Sequence, residues 1–203
     1  MTMKPVRVAI NGFGRIGRVT ARLLLQRNDL ELVAVNDLTD TRTLAHLYKY
    51  DSVHGVSADP VGHDEDHLHL GGRAIRAFAA KDPSGLPWRE LAVDVVIEST
   101  GHFLTRELAS AHLKAGAERV ILSAPAKDAD IPSVVLGVND HILIGGEPII
   151  SNASCTTNCA APMIMGIHEL CHIEDGFITT VHSYTGDQRL HDAPHKDLRR
   201  ARA

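Results

Sequence analysis

Apolar residues fall along the chain in short, β-branched runs separated by stretches whose apolar positions recur at helical spacing. Val6-Arg7-Val8-Ala9-Ile10 is the first such run, and Arg18 to Gln26 after it carries Val19, Leu23 and Leu24 on a helical period. Leu30 to Val35 predicts a second strand and Thr43 to Tyr50 a short helix. Val93 to Glu98 reads as a strand buried on both faces. Leu104 to Ala115 is an amphipathic helix stopped by Gly116, and Arg119 to Leu122 is the next strand. Val134 to Val138 and Pro148 to Ile150 complete the expected set. His63, His67 and His69, interleaved with Asp64, Glu65 and Asp66, match no recurrent ligand spacing; they predict an exposed hairpin before Gly71-Gly72, not a metal site. Asp82 to Gly85 reads as a turn and Leu86-Pro87-Trp88 as core packing. Strands alternating with helices predict an α/β fold built on a doubly wound parallel sheet.

The link between the first strand and its helix is Asn11-Gly12-Phe13-Gly14-Arg15-Ile16-Gly17. Strand, glycine-rich turn and helix in this order make a dinucleotide fingerprint. Gly12 makes the tight turn, Gly14 lets the backbone approach a pyrophosphate, and Gly17 packs helix on strand. The second strand ends at Asn36-Asp37, which puts an acid about 20 residues past the glycines, where the fingerprint places a carboxylate on the adenosine ribose. That carboxylate repels the extra phosphate of NADP, and Leu38 offers no positive charge to receive it, so NAD is the expected cofactor. Ser99-Thr100-Gly101 and Ser123-Ala124-Pro125 end their strands at the same sheet edge. With the fingerprint in place, the sheet is expected to be of the Rossmann type.

A second chemical signal lies at Ser151-Asn152-Ala153-Ser154-Cys155-Thr156-Thr157-Asn158-Cys159, between the strand ending at Ile150 and the apolar Ala160 to Met165. Cys155 is expected in the first turn of a helix, where unpaired N–H groups and the macrodipole favour a thiolate. The same N–H groups, with the hydroxyls of Ser154 and Thr156, could hold an oxyanion or a phosphate. Cys159, one turn on, reads as a packing residue. After the turn at Glu174-Asp175-Gly176, alternation from Phe177 to Val181 predicts a strand that presents His182 at its end. A lone cysteine or a lone histidine reads as structural. Together, in a dinucleotide-binding chain, they read as nucleophile and base.

Composition narrows the classes. A formal charge of −4 in 203 residues gives no reason for a nucleic-acid-binding surface. Three cysteines without paired spacing argue against a disulfide framework and for a reducing compartment. No signal-peptide pattern precedes Val6 and no apolar run is long enough to span a bilayer, so a cytoplasmic protein without membrane contact is expected. Length allows one full domain and part of a second. Lys196 to Ala203 reads as a helix that begins and stops, as in a truncated chain.

Asn11 to Arg18, Val35 to Leu38, Lys49-Tyr-Asp-Ser-Val-His-Gly55, Val95 to Gly101, Ser151 to Cys159 and His182-Ser-Tyr-Thr185 together closely resemble the phosphorylating glyceraldehyde-3-phosphate dehydrogenases. The matching stretches run from end to end of the chain. The resemblance implies an NAD-binding Rossmann domain, 1–153, and the beginning of an α+β catalytic domain, 154–203, in a homotetramer. It implies Cys155 as nucleophile and His182 as base, acting on glyceraldehyde 3-phosphate and inorganic phosphate. Ser154, Thr156, Thr185 and Arg200 would serve phosphate groups. Arg15, Ile16, Asp37 and Ser123 match the family's cofactor contacts. Asn11, Gly12, Gly14, Gly17, Thr100 and Gly101 complete the set, with Lys81 at the adenine. The chain departs from the pattern at Ala80-Lys81-Asp82-Pro83, where the family often has Glu-Arg-Asp-Pro, and at Ala193, where many NAD-specific members carry a bulkier residue; Pro194 keeps the NAD-type pattern. Two alternatives stand beside this: an erythrose-4-phosphate dehydrogenase, which shares the cysteine motif, and a non-catalytic NAD-binding chain. Family members continue well beyond this length, so little turnover is expected of the 203 residues alone.

Overall fold

A computed structural model describes residues 4–185 and 198–200. In chain order the elements are β1 (Val6–Asn11), α1 (Arg15–Leu25), β2 (Leu30–Asn36), α2 (Thr41–Lys49), β3 (Tyr50–Asp51), β4 (Gly55–Val56), β5 (Val61–His63), β6 (His67–Leu70), β7 (Arg73–Phe78), β8 (Val95–Glu98), α3 (Arg106–Lys114), β9 (Arg119–Leu122), β10 (Ile149–Ser151) and α4 (Cys155–Cys171). The described residues fall into two compact units, divided between Met165 and Gly166.

In the first unit the sheet runs in the order β10-β9-β8-β1-β2-β7-β6-β5 among the described residues. The neighbours from β10 to β7 are parallel. The chain therefore moves outward from β1 through β2 to β7, then returns to the other side of β1 at β8. This is the doubly wound Rossmann order, and the reversal between β1 and β8 opens a crevice at the carboxyl ends of those strands. The hairpin β5–β6, paired antiparallel to β7, extends the sheet; β3 and β4 form a separate small hairpin.

Both sheet faces are covered, as alternation along β1 requires. Val8 and Ile10 pack with Ala21 and Leu24 of α1 and Leu44 and Tyr48 of α2. Ala9 faces the opposite side and packs with Trp88, Val96, Ala115 and Ala117. A register shift opposite Val8 and Ala9 breaks strict alternation in β2: Leu32 and Val35 join the first core, while Val33 and Ala34 join the second. Ala109 of α3 and Ile149 of β10 belong to a third cluster around Val120 and Leu122.

Two expected strands do not form. At 134–138 the ladder stops after a single bridge from Ser133 to Ser151 and a bond from Val134 N–H to the Ser151 carbonyl. Asn139 Oδ1 then accepts from Val135 N–H and Asp140 Oδ1 from Gly137 N–H, with Gly137 at φ +78°. The side chains capture the donors a strand would have used and turn the chain. In the second unit, Phe177 to Val181 carries no strand assignment, and Phe177 and Val181 are exposed. Alternation alone does not make a strand; a ladder needs a partner, and none pairs with it among the described residues. The second unit otherwise holds the end of α4 and a 3-10 turn at Leu198–Arg200.

Candidate active site

The loop after β1 is shaped by its glycines. Gly12 has φ +92°, and a Cβ there would lie 2.7 Å from the Thr100 nitrogen. A Cβ on Gly17 would lie 2.1 Å from the Gly12 carbonyl oxygen, so helix and turn touch only because both positions lack side chains. A Cβ on Gly14 would meet open space. Helix α1 starts there with no side-chain cap, which leaves its first N–H groups directed at the crevice. By contrast, α2 and α3 are capped by Asp40 and Thr105. The residues thus fit an anionic pyrophosphate at α1.

A cleft of about 490 Å³ opens at this point, lined by Asn11, Gly12, Gly14, Asp37, Lys81 and Thr100 among others. Asp37 sits at the end of β2 with Oδ2 accepting from Phe13 N–H at 2.8 Å and Oδ1 from Thr39 N–H at 3.0 Å. Its carboxylate therefore fixes the glycine loop while it lines the cleft. Asn36, Leu38, Ala80, Ser99, His102 and Phe103 also line it. Most of them sit at or just past the end of a strand; His102 and Phe103 carried no signal in the sequence. Gly101 follows in the same loop at φ +76°.

A second cleft, about 380 Å³, is lined by Ile16, Ser123, Ala153, Ser154, Cys155 and Asn158, together with Thr20, Ile97, Ile121 and Asn152. It brings Cys155 together with two of the expected cofactor residues, Ile16 and Ser123. Cys155 is the first residue of α4 and is exposed. The local build explains its place. Ser151 is buried at the end of β10; its hydroxyl donates to the Ala124 carbonyl and accepts from Ala153 N–H. Ala153 takes the left-handed conformation, φ +55°, which turns the chain out of the sheet. Ser154 Oγ then accepts from Thr157 N–H at 2.9 Å as the helix cap, and Asn158 Nδ2 reaches back to the carbonyls of Asn152 and Ser154. Thr156 is half-buried in the first turn. Cys159, expected as a packing residue, is exposed instead; none of the described α4 residues is buried.

His182 and Thr185 lie in the second unit. The His182 ring Nδ1 contacts the Ser183 carbonyl oxygen, and Val181 beside it is exposed. The side chain of Arg200 lies outside the described residues, as do Ala193 and Pro194. The histidine-rich hairpin is a local hydrogen-bonded cluster: Asp64 accepts from His67 Nδ1 at 3.1 Å and His69 Nε2 at 2.8 Å. Together with a backbone bond from Asp66, these hold the Asp64 carboxyl well below its usual range. No helix among the described residues is long and apolar enough to cross a membrane.

A doubly wound sheet with a glycine-rich crevice is the architecture of a dinucleotide-binding protein, and a cysteine stands at the N-terminus of α4. Residues 6–106 match the family described as glyceraldehyde 3-phosphate dehydrogenase, NAD binding domain, and residues 154–203 match the C-terminal domain of the same dehydrogenase. The chain is 58% identical over 199 residues to the glyceraldehyde-3-phosphate dehydrogenase of Thermotoga maritima, covering 97% of this chain and 60% of that protein. It is 56% identical to the enzyme of Geobacillus stearothermophilus, covering 98% of this chain and 59% of that protein. The chain belongs to the glyceraldehyde-3-phosphate dehydrogenase family, and it spans about 60% of the length of these relatives.

Proposed function

We propose that this chain carries the NAD site and the nucleophile of a glyceraldehyde-3-phosphate dehydrogenase that converts glyceraldehyde 3-phosphate, NAD and inorganic phosphate to 1,3-bisphosphoglycerate and NADH. The observation that carries the reading is the placement of Cys155: first residue of a capped helix, in one cleft with Ile16 and Ser123 from the dinucleotide half. NAD supplies the hydride acceptor. Cys155 Sγ attacks the aldehyde carbon and forms a thiohemiacetal, and the positive end of the helix dipole at the start of α4 favours both the thiolate and the developing oxyanion. His182 takes the hydroxyl proton as hydride leaves that carbon, giving a thioester. Phosphate then attacks the thioester carbonyl and the thiolate departs. By family resemblance, Ser154 and Thr156 serve the phosphate beside Cys155, and Thr185 and Arg200 serve phosphate groups. In this reading 1–153 is the cofactor domain and 154–203 begins the catalytic one. The protein works in the cytoplasm as a homo-oligomer, a tetramer by family resemblance.

The test is thiol alkylation of the chain against pH, mapped peptide by peptide, with and without NAD. Cys155 is expected to react with an apparent pKa well below the ~8.5 of a free thiol, with its rate altered by NAD and lowered by glyceraldehyde 3-phosphate. A Cys155 no more reactive than Cys159 under all these conditions overturns the reading.

A further inference from the structure

We propose that Glu98, which does not line the cofactor cleft, is a positioning residue that fixes both of its walls for the dinucleotide; this rests on the NAD reading above. Glu98 ends β8 beside β1 at the point where the strand order reverses, and its side chain is fully buried. Four donors converge on its carboxylate. Asn11 Nδ2 and His112 Nε2, the latter at 3.0 Å, reach Oε2; Thr100 reaches Oε1 with its backbone N–H at 2.8 Å and with its hydroxyl. The His112 tautomer follows from Trp88. An indole N–H can only donate, and it points at His112 Nδ1 from 3.1 Å, so the ring proton sits on Nε2, toward Glu98.

The chain of bonds continues through Asn11, whose Oδ1 accepts from Asn36 Nδ2 at 2.7 Å. Asn36 pairs with both backbone groups of Ala80. Ala80, Asn36 and Asn11 line one side of the cleft and Thr100 the other, and Glu98 is the link between them. The Ser99 hydroxyl, bonded to the Gly12 carbonyl at 2.7 Å, closes the same two loops against each other. Thr100 Oγ1 in turn accepts from His102 N–H, so the set of the 100–102 loop also depends on Glu98. Only a group that accepts at every lone pair suits four converging donors. A glutamine amide nitrogen in its place would face Asn11 Nδ2 or the Thr100 donors.

NAD affinity is measured by calorimetric titration of the chain and of its Glu98→Gln and His112→Phe variants. His112→Phe removes a donor to Glu98 from outside the cleft. The chain contains one tryptophan, so a single indole N–H resonance reports on the His112 end of the network. Glu98→Gln is expected to move that resonance in a still-folded protein and to weaken NAD about tenfold, the scale of unpairing buried groups. A shifted resonance and a lowered melting temperature with unchanged NAD affinity would make Glu98 merely structural and overturn the proposal. If Glu98→Gln does not fold, His112→Phe decides: weaker NAD binding supports the proposal, and equal affinity overturns it. If the unsubstituted chain binds no NAD, the cofactor reading falls and this one falls with it.

Discussion

Gly17 and Ser154 are the single positions on which the two halves of the site depend most directly. Replacing Gly17 with alanine forces a methyl against the Gly12 carbonyl oxygen, which is backbone and cannot swing aside. Overpacking of this kind costs about 1–3 kcal/mol, so Gly17→Ala is expected to lower the melting temperature and weaken NAD together. A variant with unchanged melting and binding would show that the turn relaxes freely. Ser154→Ala removes the cap of α4 at a cost of about 1 kcal/mol; slower alkylation of Cys155, with Cys171 at the far end of the helix unaffected, is the expected signature. At this scale the sequence is partly legible. The glycine spacing could be read because a tight turn packed against a helix start has a fixed geometry, and Asp37 follows β2 in the cleft lining, as its spacing predicts. The buried side of α1 could not be read from its largest apolar residues: Gly17, Ala21 and Leu24 are buried while Leu23 is exposed. Cys159 was misread for a related reason, since an apolar helix is a packing helix only where something covers it.

Among the elements, turns and helix starts carry the acid sensitivity. Asp40 caps α2 through Thr43, Asp82 caps the turn at Pro83–Gly85 through Ser84, and Asp51 accepts from Val53 and His54 N–H. Backbone hydrogen bonding to the charged form lowers each carboxyl below its ordinary value. The Arg27 guanidinium brings Asp29 down to about 2. A carboxyl depressed in the folded state contributes stability above its unfolded pKa and loses it as pH falls through the folded one. Melting temperature is therefore expected to be flat above about pH 5 and to drop between roughly pH 4 and 2. Asp40→Asn should remove part of that drop; an identical acid profile would exclude the cap as a source. Strands with a neighbour on each side were legible from their β-branched runs. Val134 to Val138 was not, because Asn139 and Asp140, outside the run, decide its fate. Phe177 to Val181 was not, because alternation says nothing about a partner.

For the molecule as a whole, the sequence order of strands and helices was enough to predict a doubly wound sheet, yet not which strands would meet. The order β7-β2-β1-β8-β9 follows from crossover handedness and from Trp88 and Ala117 filling the face opposite α1. Neither is written in any local pattern, and the same holds for the Glu98 network, whose members are up to 101 residues apart. The exposed apolar residues of α4, among them Met163, Ile167 and Leu170, predict strong binding of a hydrophobic dye by the chain. Polar replacement of Ile167 and Leu170 should reduce dye binding without changing NAD affinity. If dye binding is unaffected, the apolar surface lies elsewhere.

Helix α4 has one more property with chemical consequences. Cys155, Cys159, Met163, Met165 and Cys171 all lie on it, and no other described residue contains sulfur. Apart from Met1 and Met3 at the start of the sequence, peroxide would therefore find its soft targets along one helix and leave the sheet and its two faces chemically untouched. Beyond Met1 and Met3, oxidation mapped by mass spectrometry should cluster within 155–171, and a chain stripped of its thiol chemistry in this way should still bind NAD. Damage and cofactor recognition would then be separable events in the same chain.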